Sequence, residues 1–263
     1  MKLTVAATAP FGADVLEGLA ARHEVVALLT RPDRPAGRGR RLAPPPAKVT
    51  ADTLGIPVLQ PERPTAELEL PADTVVVCAY GLLIPDELLE RGLWLNVHPS
   101  LLPRWRGAAP VERALLAGDT ETGVTIHETV KELDAGPIAA QRAFAVDPDE
   151  DAGAVFARCA ALAVDLLDEV LPSPSFTPQP EEGVTYAAKI EAADRELDLD
   201  APAHEGLNRI RALSPHIGAR AELDGRRVTI WRARIDDGRL VPVEVQPEGG
   251  RRMAYDAFLR GLR

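Results

Sequence analysis

Short apolar runs alternate with helical patterns over the first two thirds of the chain. Residues 3–7 are apolar and β-prone, residues 12–22 have the i, i+3, i+4 spacing of an amphipathic helix, and residues 23–30 are β-prone again. Two later runs, 74–79 and 93–98, are apolar almost without interruption, which is typical of strands covered on both faces. The pattern predicts a Rossmann-like α/β fold, with a mostly parallel sheet and helices on both faces.

The last third of the chain has a different pattern. Residues 171–183 (LPSPSFTPQPEEG) are rich in proline and small polar residues, which indicates a linker that runs over the surface. Three short β-prone runs follow, separated by Asp-Gly turn signals, and predict a small β-rich module: 219–223, 227–233 and 240–245. We therefore expect a catalytic domain, a linker and a C-terminal domain over 1–172, 173–202 and 203–263.

Composition excludes several classes of protein. The chain has 263 residues, of which 46% are hydrophobic and 27% charged, as in an ordinary globular protein. It has neither an 18-residue apolar stretch nor a signal-peptide pattern at its start, so we expect a cytoplasmic protein without a membrane span. Cys78 and Cys159 lie far apart and outside any Cys/His cluster, so neither a disulfide nor a metal site is expected.

Positive charge is concentrated in one segment of an acidic protein. The formal net charge is −10, which disfavours contact with nucleic acid over most of the surface. Residues 31–41 (RPDRPAGRGRR), however, hold five arginines against the single Asp33: Arg31, Arg34, Arg38, Arg40 and Arg41. Most short basic loops are only solvated connections, but this one follows a predicted strand and suits a phosphate-binding arm.

Three polar residues are candidates for catalysis. Asn96 and His98 lie two residues apart on the predicted strand 93–98, so their side chains point to the same side at its carboxyl end, where ligands collect in open α/β sheets. Asp134 follows a later predicted strand, and the nearby Gly136 permits a close approach of the backbone. We expect these side chains to converge on one small group.

An amide, an imidazole and a carboxylate suit the attack of an external amine on an activated carbonyl. The amide of Asn96 and a protonated His98 would donate hydrogen bonds to the developing oxyanion. Asp134 would raise the pKa of His98 and could accept a proton from the amine.

Asn96, His98 and the other histidines also have non-catalytic interpretations. An isolated Asn-x-His at a strand end is most often a turn that satisfies its own backbone. His127 lies within a predicted strand with no adjacent polar cluster, so we expect it to be structural or a wall of the pocket. His23, His204 and His216 are expected to be surface or packing residues.

Two segments resemble a known family. Residues 96–110 (NVHPSLLPRWRGAAP) and 133–136 (LDAG) are similar in order and spacing to the signature of the folate-dependent formyltransferases. Within that superfamily, PDRPAGRGRRL, AYGLLIP and SLLPRWRGAAPVERA resemble the methionyl-tRNA formyltransferases. The resemblance is strong from Thr8 to Gln141 and looser from Thr185 onward. It implies 10-formyltetrahydrofolate as the formyl donor, the α-amino group of methionyl initiator tRNA as the acceptor, and Asn96, His98 and Asp134 as the catalytic residues.

The resemblance also implies binding segments. It places the folate pocket at two stretches of apolar walls and backbone groups: Tyr80, Gly81, Leu82, Leu83, Ile84, Ser100, Leu101, Leu102 and Pro103. For 77–84 the alternative is a buried strand that runs into a helix start at Pro85. The arginine loop would enter the acceptor end of the tRNA, with Arg38 as the leading contact. Trp105 is expected to pack under the loop, with stacking on a base as the alternative.

The C-terminal region departs from the family pattern. The family's members end in an oligonucleotide-binding-type barrel of about a hundred residues, whereas residues 204–263 are too few for it, and strands are expected to be missing after Asp237-Gly238. Two alternatives stay open: a formyltransferase that acts on an amino sugar nucleotide, and a folate- or nucleotide-binding module without catalysis. A monomer is expected.

Overall fold

The computed structural model describes residues 1–36 and 41–261. The strands are β1 (Lys2–Ala7), β2 (Glu24–Leu29), β3 (Arg34–Ala36), β4 (Arg41–Ala43), β5 (Val58–Leu59), β6 (Thr74–Cys78), β7 (Leu93–His98), β8 (Arg106–Gly107), β9 (Glu121–Glu128), β10 (Ile138–Ala145), β11 (Tyr186–Ala187), β12 (Ala219–Leu223), β13 (Arg226–Asp236), β14 (Arg239–Pro247) and β15 (Met253–Ala254). The helices are α1 (Pro10–Ala20), α2 (Pro46–Leu54), α3 (Asp86–Leu89), α4 (Pro110–Leu116), α5 (Ala152–Val170), α6 (Ala203–Leu213) and α7 (Tyr255–Arg260), with a 3-10 turn at Ala193–Arg195.

The chain divides into two compact units. The first comprises residues 1–106, 123–143 and 157–185, and the second comprises residues 107–122, 144–156 and 186–263. The domain boundaries expected from the sequence stay predictions. None of the helices in the described part of the chain has the length and apolar character needed to cross a membrane.

The first unit contains a seven-stranded sheet in the order β10-β9-β7-β6-β1-β2-β5. The five neighbouring strands β7, β6, β1, β2 and β5 run parallel, as predicted, but β9 pairs antiparallel with β7. The central strands β1 and β6 are mostly apolar and are buried except at their first residues, because helices flank the sheet. The mostly parallel α/β fold is therefore confirmed.

Close packing brings the carboxyl ends of the central strands together. Gly12, in α1, lies so near the end of β6 that a Cβ atom there would be 2.5 Å from Cys78 O. The hydroxyl of Thr8, which follows β1, donates to Tyr80 O at 2.8 Å. Thr8, Tyr80 and His98 thus mark the carboxyl ends of three neighbouring parallel strands, where a ligand site is expected.

The arginine segment is not the plain loop that the sequence predicted. Its flanks form an antiparallel ribbon, in which β3 pairs with β4 and Arg34 lies opposite Ala43. Pro35 removes one backbone donor, but a short exposed edge strand tolerates this loss. Leu42, in β4, is 72% exposed, although a leucine in a strand is usually buried.

The second unit contains a four-stranded antiparallel sheet in the order β12-β13-β14-β15. Asp224-Gly225 and Asp237-Gly238 both have positive φ values and form its tight hairpin turns, as predicted. Its core includes Ile210 of α6, together with Val228, Ile230, Val245 and Phe258. The small β-rich module is confirmed, and α6 and α7 are additions that the β-prone pattern did not predict.

Candidate active site

The structure brings Asn96, His98 and Asp134 together at the carboxyl end of β7. The amide Nδ2 of Asn96 donates to Asp134 Oδ1 at 3.2 Å, and His98 Nδ1 lies 3.7 Å from Asp134 Oδ2. The side chains of His98 and Asp134 are only 5% and 9% exposed, so their interaction is poorly screened by solvent. The convergence expected from the sequence is present.

His127 is a fourth member of this cluster, although the sequence shows no polar cluster beside it. Antiparallel pairing of β7 with β9 sets His127 directly opposite Asn96. Its Nε2 lies 3.1 Å from Asn96 Nδ2 and 3.7 Å from Asp134 Oδ1. The register of β9 against β7 is the signal that would have found it, but a predicted strand has no register until its partner is known.

Backbone carbonyl groups determine which ring nitrogens carry protons. His98 Nε2 lies 2.8 Å from Trp105 O, and His127 Nδ1 lies 2.8 Å from Glu128 O. Because a carbonyl only accepts, each of these nitrogens must be the N–H donor. The remaining nitrogens, Nδ1 of His98 and Nε2 of His127, therefore face Asp134.

The prediction of a protonated His98 is not supported. Burial lowers the pKa of His98 from its ordinary value of 6.5, and this effect outweighs the nearby Asp134 carboxylate and Trp105 O, which act in the opposite direction. The carboxylate is visible in the sequence, whereas the desolvation of the ring depends on the folded surroundings. In the free site at neutral pH, His98 is consequently the neutral imidazole.

Both N–H groups of Asn96 have protein acceptors in this arrangement, namely Asp134 Oδ1 and His127 Nε2. The resting amide therefore orients the carboxylate. A hydrogen bond from Asn96 to a substrate oxygen requires that one of these partners be exchanged. The bond to the neutral ring is the weaker, because hydrogen bonds to a carboxylate are charge-assisted.

A tight turn presents Asp134. Asp134 has φ of +48°, a left-handed conformation that costs energy for a residue with a side chain. Two residues later, a Cβ atom on Gly136 would lie 1.9 Å from Glu128 O and 3.3 Å from His127 Nδ1. Only glycine therefore allows this turn to lie against the end of β9.

The first predicted folate segment, 80–84, has a polar backbone beside apolar side chains. Tyr80 lies in the core and its hydroxyl has no partner among the described residues, while burial raises its pKa to about 12. Among residues 1–36 and 41–261, no hydrogen bond joins the peptide groups of Leu82, Leu83 and Ile84 to the protein. Lys131 Nζ, from the loop that carries Asp134, lies 3.3 Å from Asp86, just beyond this segment.

The second predicted folate segment, 100–103, is held by its own bonds. Thr125 Oγ1 donates to Ser100 O at 2.7 Å and accepts from the Leu102 N–H at 3.1 Å, while Gln141 donates to Leu102 O at 2.9 Å. The Ser100 hydroxyl donates to Arg104 O at 2.7 Å. Folate binding by Ser100, Leu101, Leu102 and Pro103 stays a prediction, and these bonds show the segment to be a support for the turn after His98.

The described arginines of the predicted RNA-binding segment lie in two different places. Arg34 and Arg41 lie on the exposed ribbon of β3 and β4, where Arg34 is 3.5 Å from Glu62. Arg31 instead donates to Gly81 O, beside the first folate segment. Arg38 and Arg40 lie outside the described residues.

Comparisons with known proteins identify the family. Residues 1–171 match the family model described as formyl transferase, and residues 189–240 match the formyl transferase C-terminal domain. The methionyl-tRNA formyltransferase of Cereibacter sphaeroides is 39% identical over 296 aligned positions, covering 100% of this chain and 96% of that protein. The chain belongs to the methionyl-tRNA formyltransferase family.

Two further members of the methionyl-tRNA formyltransferase family match most of this chain in sequence or in fold. The enzyme of Xanthomonas euvesicatoria is 44% identical over 245 residues, 88% of this chain and 80% of that protein. The methionyl-tRNA formyltransferase structure from Clostridium thermocellum has a TM-score of 0.66, with 16% identity over 94% of this chain and 98% of that chain, and so supports the fold alone. The alignment with the Cereibacter protein is longer than this 263-residue chain, and the expected shortening of the C-terminal region stays a prediction.

Proposed function

We propose that this protein transfers the formyl group of 10-formyltetrahydrofolate to the α-amino group of methionyl initiator tRNA, giving formylmethionyl-tRNA for translation initiation. The observation that carries the proposal is the convergence of the Asn96 amide, His98 Nδ1 and the Asp134 carboxylate at the carboxyl end of β7. Relatives that cover this chain carry the name of that activity, which favours the RNA acceptor over an amino sugar nucleotide.

In this reaction the amine gains the formyl group and loses a proton, and the folate loses the formyl group and gains a proton. The reduced folate supplies an activated formyl group, the attacking amine forms the new C–N bond and loses a proton, and the departing folate nitrogen gains one. The protein must therefore move a proton from one nitrogen to the other while negative charge develops on the formyl oxygen.

The His98–Asp134 pair is suited to hold this proton. Because His98 is neutral and its Nε2–H is donated to Trp105 O, its Nδ1 can accept a proton while facing Asp134 Oδ2. The proton from the amine then lies between the imidazole and the carboxylate. The imidazolium Nδ1–H can then donate this proton to the departing folate nitrogen, so that His98 acts first as a base and then as an acid.

Asn96 supplies hydrogen-bonding capacity for the formyl oxygen. Exchange of its weaker bond, to His127 Nε2, would direct one amide N–H at the oxyanion, while the other stays on Asp134 Oδ1. Loss of such a donor is expected to cost about 2 to 4 kcal/mol of transition-state stabilisation.

The segment 80–84 fits a reduced folate better than the segment 100–103. The peptide groups of Leu82, Leu83 and Ile84 can pair with a ring rich in donors and acceptors, and the exposed Leu83 side chain can cover its apolar face. The exposed ion pair of Lys131 with Asp86 lies between this segment and the loop of Asp134.

The arginine ribbon is the proposed contact with RNA. Arg34 and Arg41 are exposed on β3 and β4, and Arg38 and Arg40 belong to the same sequence segment. On a protein with a net charge of −10, this segment is where phosphate groups would be attracted.

The deciding experiment is a formyl-transfer assay with 10-formyltetrahydrofolate and charged initiator tRNA. His98→Ala should lower kcat by at least about a hundredfold, on the scale of lost general acid–base catalysis, whereas His204→Ala, at an exposed histidine of α6, should leave it unchanged. An amino sugar nucleotide, offered as the acceptor in a parallel reaction, should not be formylated. Transfer to the sugar but not to the tRNA, or normal turnover by His98→Ala, would overturn the proposal.

A further inference from the structure

The segment expected to be only a surface linker contacts the catalytic loop through Gln179. The amide Nε2 of Gln179 donates to Asp134 O and to Gly136 O, both at 2.8 Å. These two carbonyl groups lie on either side of the tight turn that presents the Asp134 side chain. The backbone of the turn is therefore held from outside its own loop.

Arg106 sets the orientation of the Gln179 amide. Its Nε and Nη2 both donate to Gln179 Oε1, at 3.1 and 2.6 Å. A flipped amide would point its NH2 group at a guanidinium and its oxygen at two carbonyl groups. Only one orientation is compatible with all four bonds, so Gln179 has no alternative rotamer of comparable energy.

The same segment also supports the partner of His98. Thr185 Oγ1 accepts from the Trp105 N–H at 2.9 Å, and Thr185 O accepts from the Arg106 N–H at 2.9 Å. Trp105, whose carbonyl oxygen accepts from His98, has φ of +66°, so it is left-handed like Asp134. Residues in such conformations persist where their surroundings hold them.

Residues 179–185 thus secure both residues that face the two ring nitrogens of His98. One end of the segment holds the turn of Asp134, which lies near Nδ1, and the other end holds Trp105, which lies at Nε2. The 3.7 Å separation of His98 and Asp134 depends on both.

We infer that Gln179, oriented by Arg106, is a positioning residue that holds Asp134 at the distance from His98 that proton transfer requires. The inference deepens the proposed function and rests on it for its kinetic consequences. Gln179 acts through the backbone of Asp134 and Gly136, which distinguishes it from the residues that contact the reacting atoms.

Gln179→Glu is the informative variant, because it keeps the size of the side chain and the acceptor for Arg106. It replaces the donor NH2 by an oxygen that faces two carbonyl oxygens, so the turn of Asp134 should move away. A displacement of about 1 Å at a reacting group can reduce turnover by about a hundredfold. We expect kcat to fall by about ten- to a hundredfold, with the KM of each substrate within about twofold of its original value.

Glu181→Gln provides the matched control, since Glu181 is exposed in the same segment. It should leave kcat unchanged. Arg106→Lys, which retains the charge but loses the forked donor, should lower kcat by a smaller factor than Gln179→Glu. It also serves as the test should Gln179→Glu not fold.

A second measurement does not depend on turnover. The 15N resonances of His98 in the free protein report its protonation, and Gln179→Glu should shift its titration midpoint, because the displaced turn changes both the distance to the Asp134 carboxylate and the burial of the ring. A purely structural role would lower the melting temperature but change neither kcat nor this midpoint, and that result would overturn the inference. If the unaltered protein formylates no acceptor, the proposed function fails, whereas the titration still decides the role of Gln179.

Discussion

Gly136→Ala tests whether close packing of the turn positions the catalytic carboxylate. A Cβ atom at residue 136 would lie 1.9 Å from Glu128 O, about 1.5 Å less than the 3.4 Å at which ordinary contact begins. The obstacle is a backbone atom at the end of β9, so no flexible side chain can move aside. The turn, the end of the strand or both must shift.

The size of the effect follows from this overlap. A forced backbone shift in a packed site typically costs about 1 to 3 kcal/mol of unfolding free energy. Because Asp134 lies two residues away and His127 Nδ1 is only 3.3 Å from the added atom, a shift of 1 Å or more reaches both side chains. Turnover should accordingly fall by about a hundredfold.

The assay combines urea unfolding with formyl transfer to charged initiator tRNA. Gly261→Ala is the control, since a Cβ atom there would meet ordinary contacts of 3.4 Å or more, and it should change neither quantity. If Gly136→Ala kept both its unfolding midpoint and its kcat, packing against Glu128 would not be what places Asp134, and the account of the turn would be refuted.

Three further outcomes are expected. In 15N NMR of the free protein, His98 should titrate below 6.5 with its neutral proton on Nε2, and Asp134→Asn should lower the midpoint further, because it removes the neighbouring negative charge that favours the imidazolium; an unchanged or higher midpoint would contradict this. Gly12→Ala should lower the free energy of unfolding by about 1 to 3 kcal/mol, as a Cβ atom there would lie 2.5 Å from Cys78 O, and an unaltered melting curve would argue against this packing. Replacing Arg34 and Arg41 by alanine should weaken initiator tRNA binding and reduce the slope of log K against log salt by about one per arginine that contacts a phosphate, whereas an unchanged slope would exclude the ribbon from the RNA contact.

The features that the sequence predicted well are those encoded by local pattern. The uninterrupted apolar runs identified β6 and β7, and the amphipathic spacing of residues 12–22 identified α1, which spans Pro10–Ala20. Asp224-Gly225 and Asp237-Gly238 specify hairpin turns because both residues readily adopt positive φ. In each case the information lies within a few neighbouring residues.

The features that were missed depend on pairing between distant segments. His127 reaches Asn96 only because β9 runs antiparallel to β7, and nothing in its own strand reports that direction. The pKa of His98 depends on how much protein surrounds the ring, which spacing alone does not give. Gln179 lies among prolines and glutamates that suggested solvent, and its bonds to Asp134 and Gly136 become visible only in the folded chain.

The orientation of the two imidazole rings has a consequence for the kind of molecule the site prefers. With their outer N–H groups committed to backbone carbonyl oxygens, the rings and Asp134 present four acceptor atoms inward, against the two hydrogens of the Asn96 amide. An incoming primary amine or ammonium group brings N–H donors that suit these acceptor atoms. A group that only accepts hydrogen bonds, such as an ester or a formyl oxygen, can pair there only with an N–H of Asn96 that has left one of its protein acceptors.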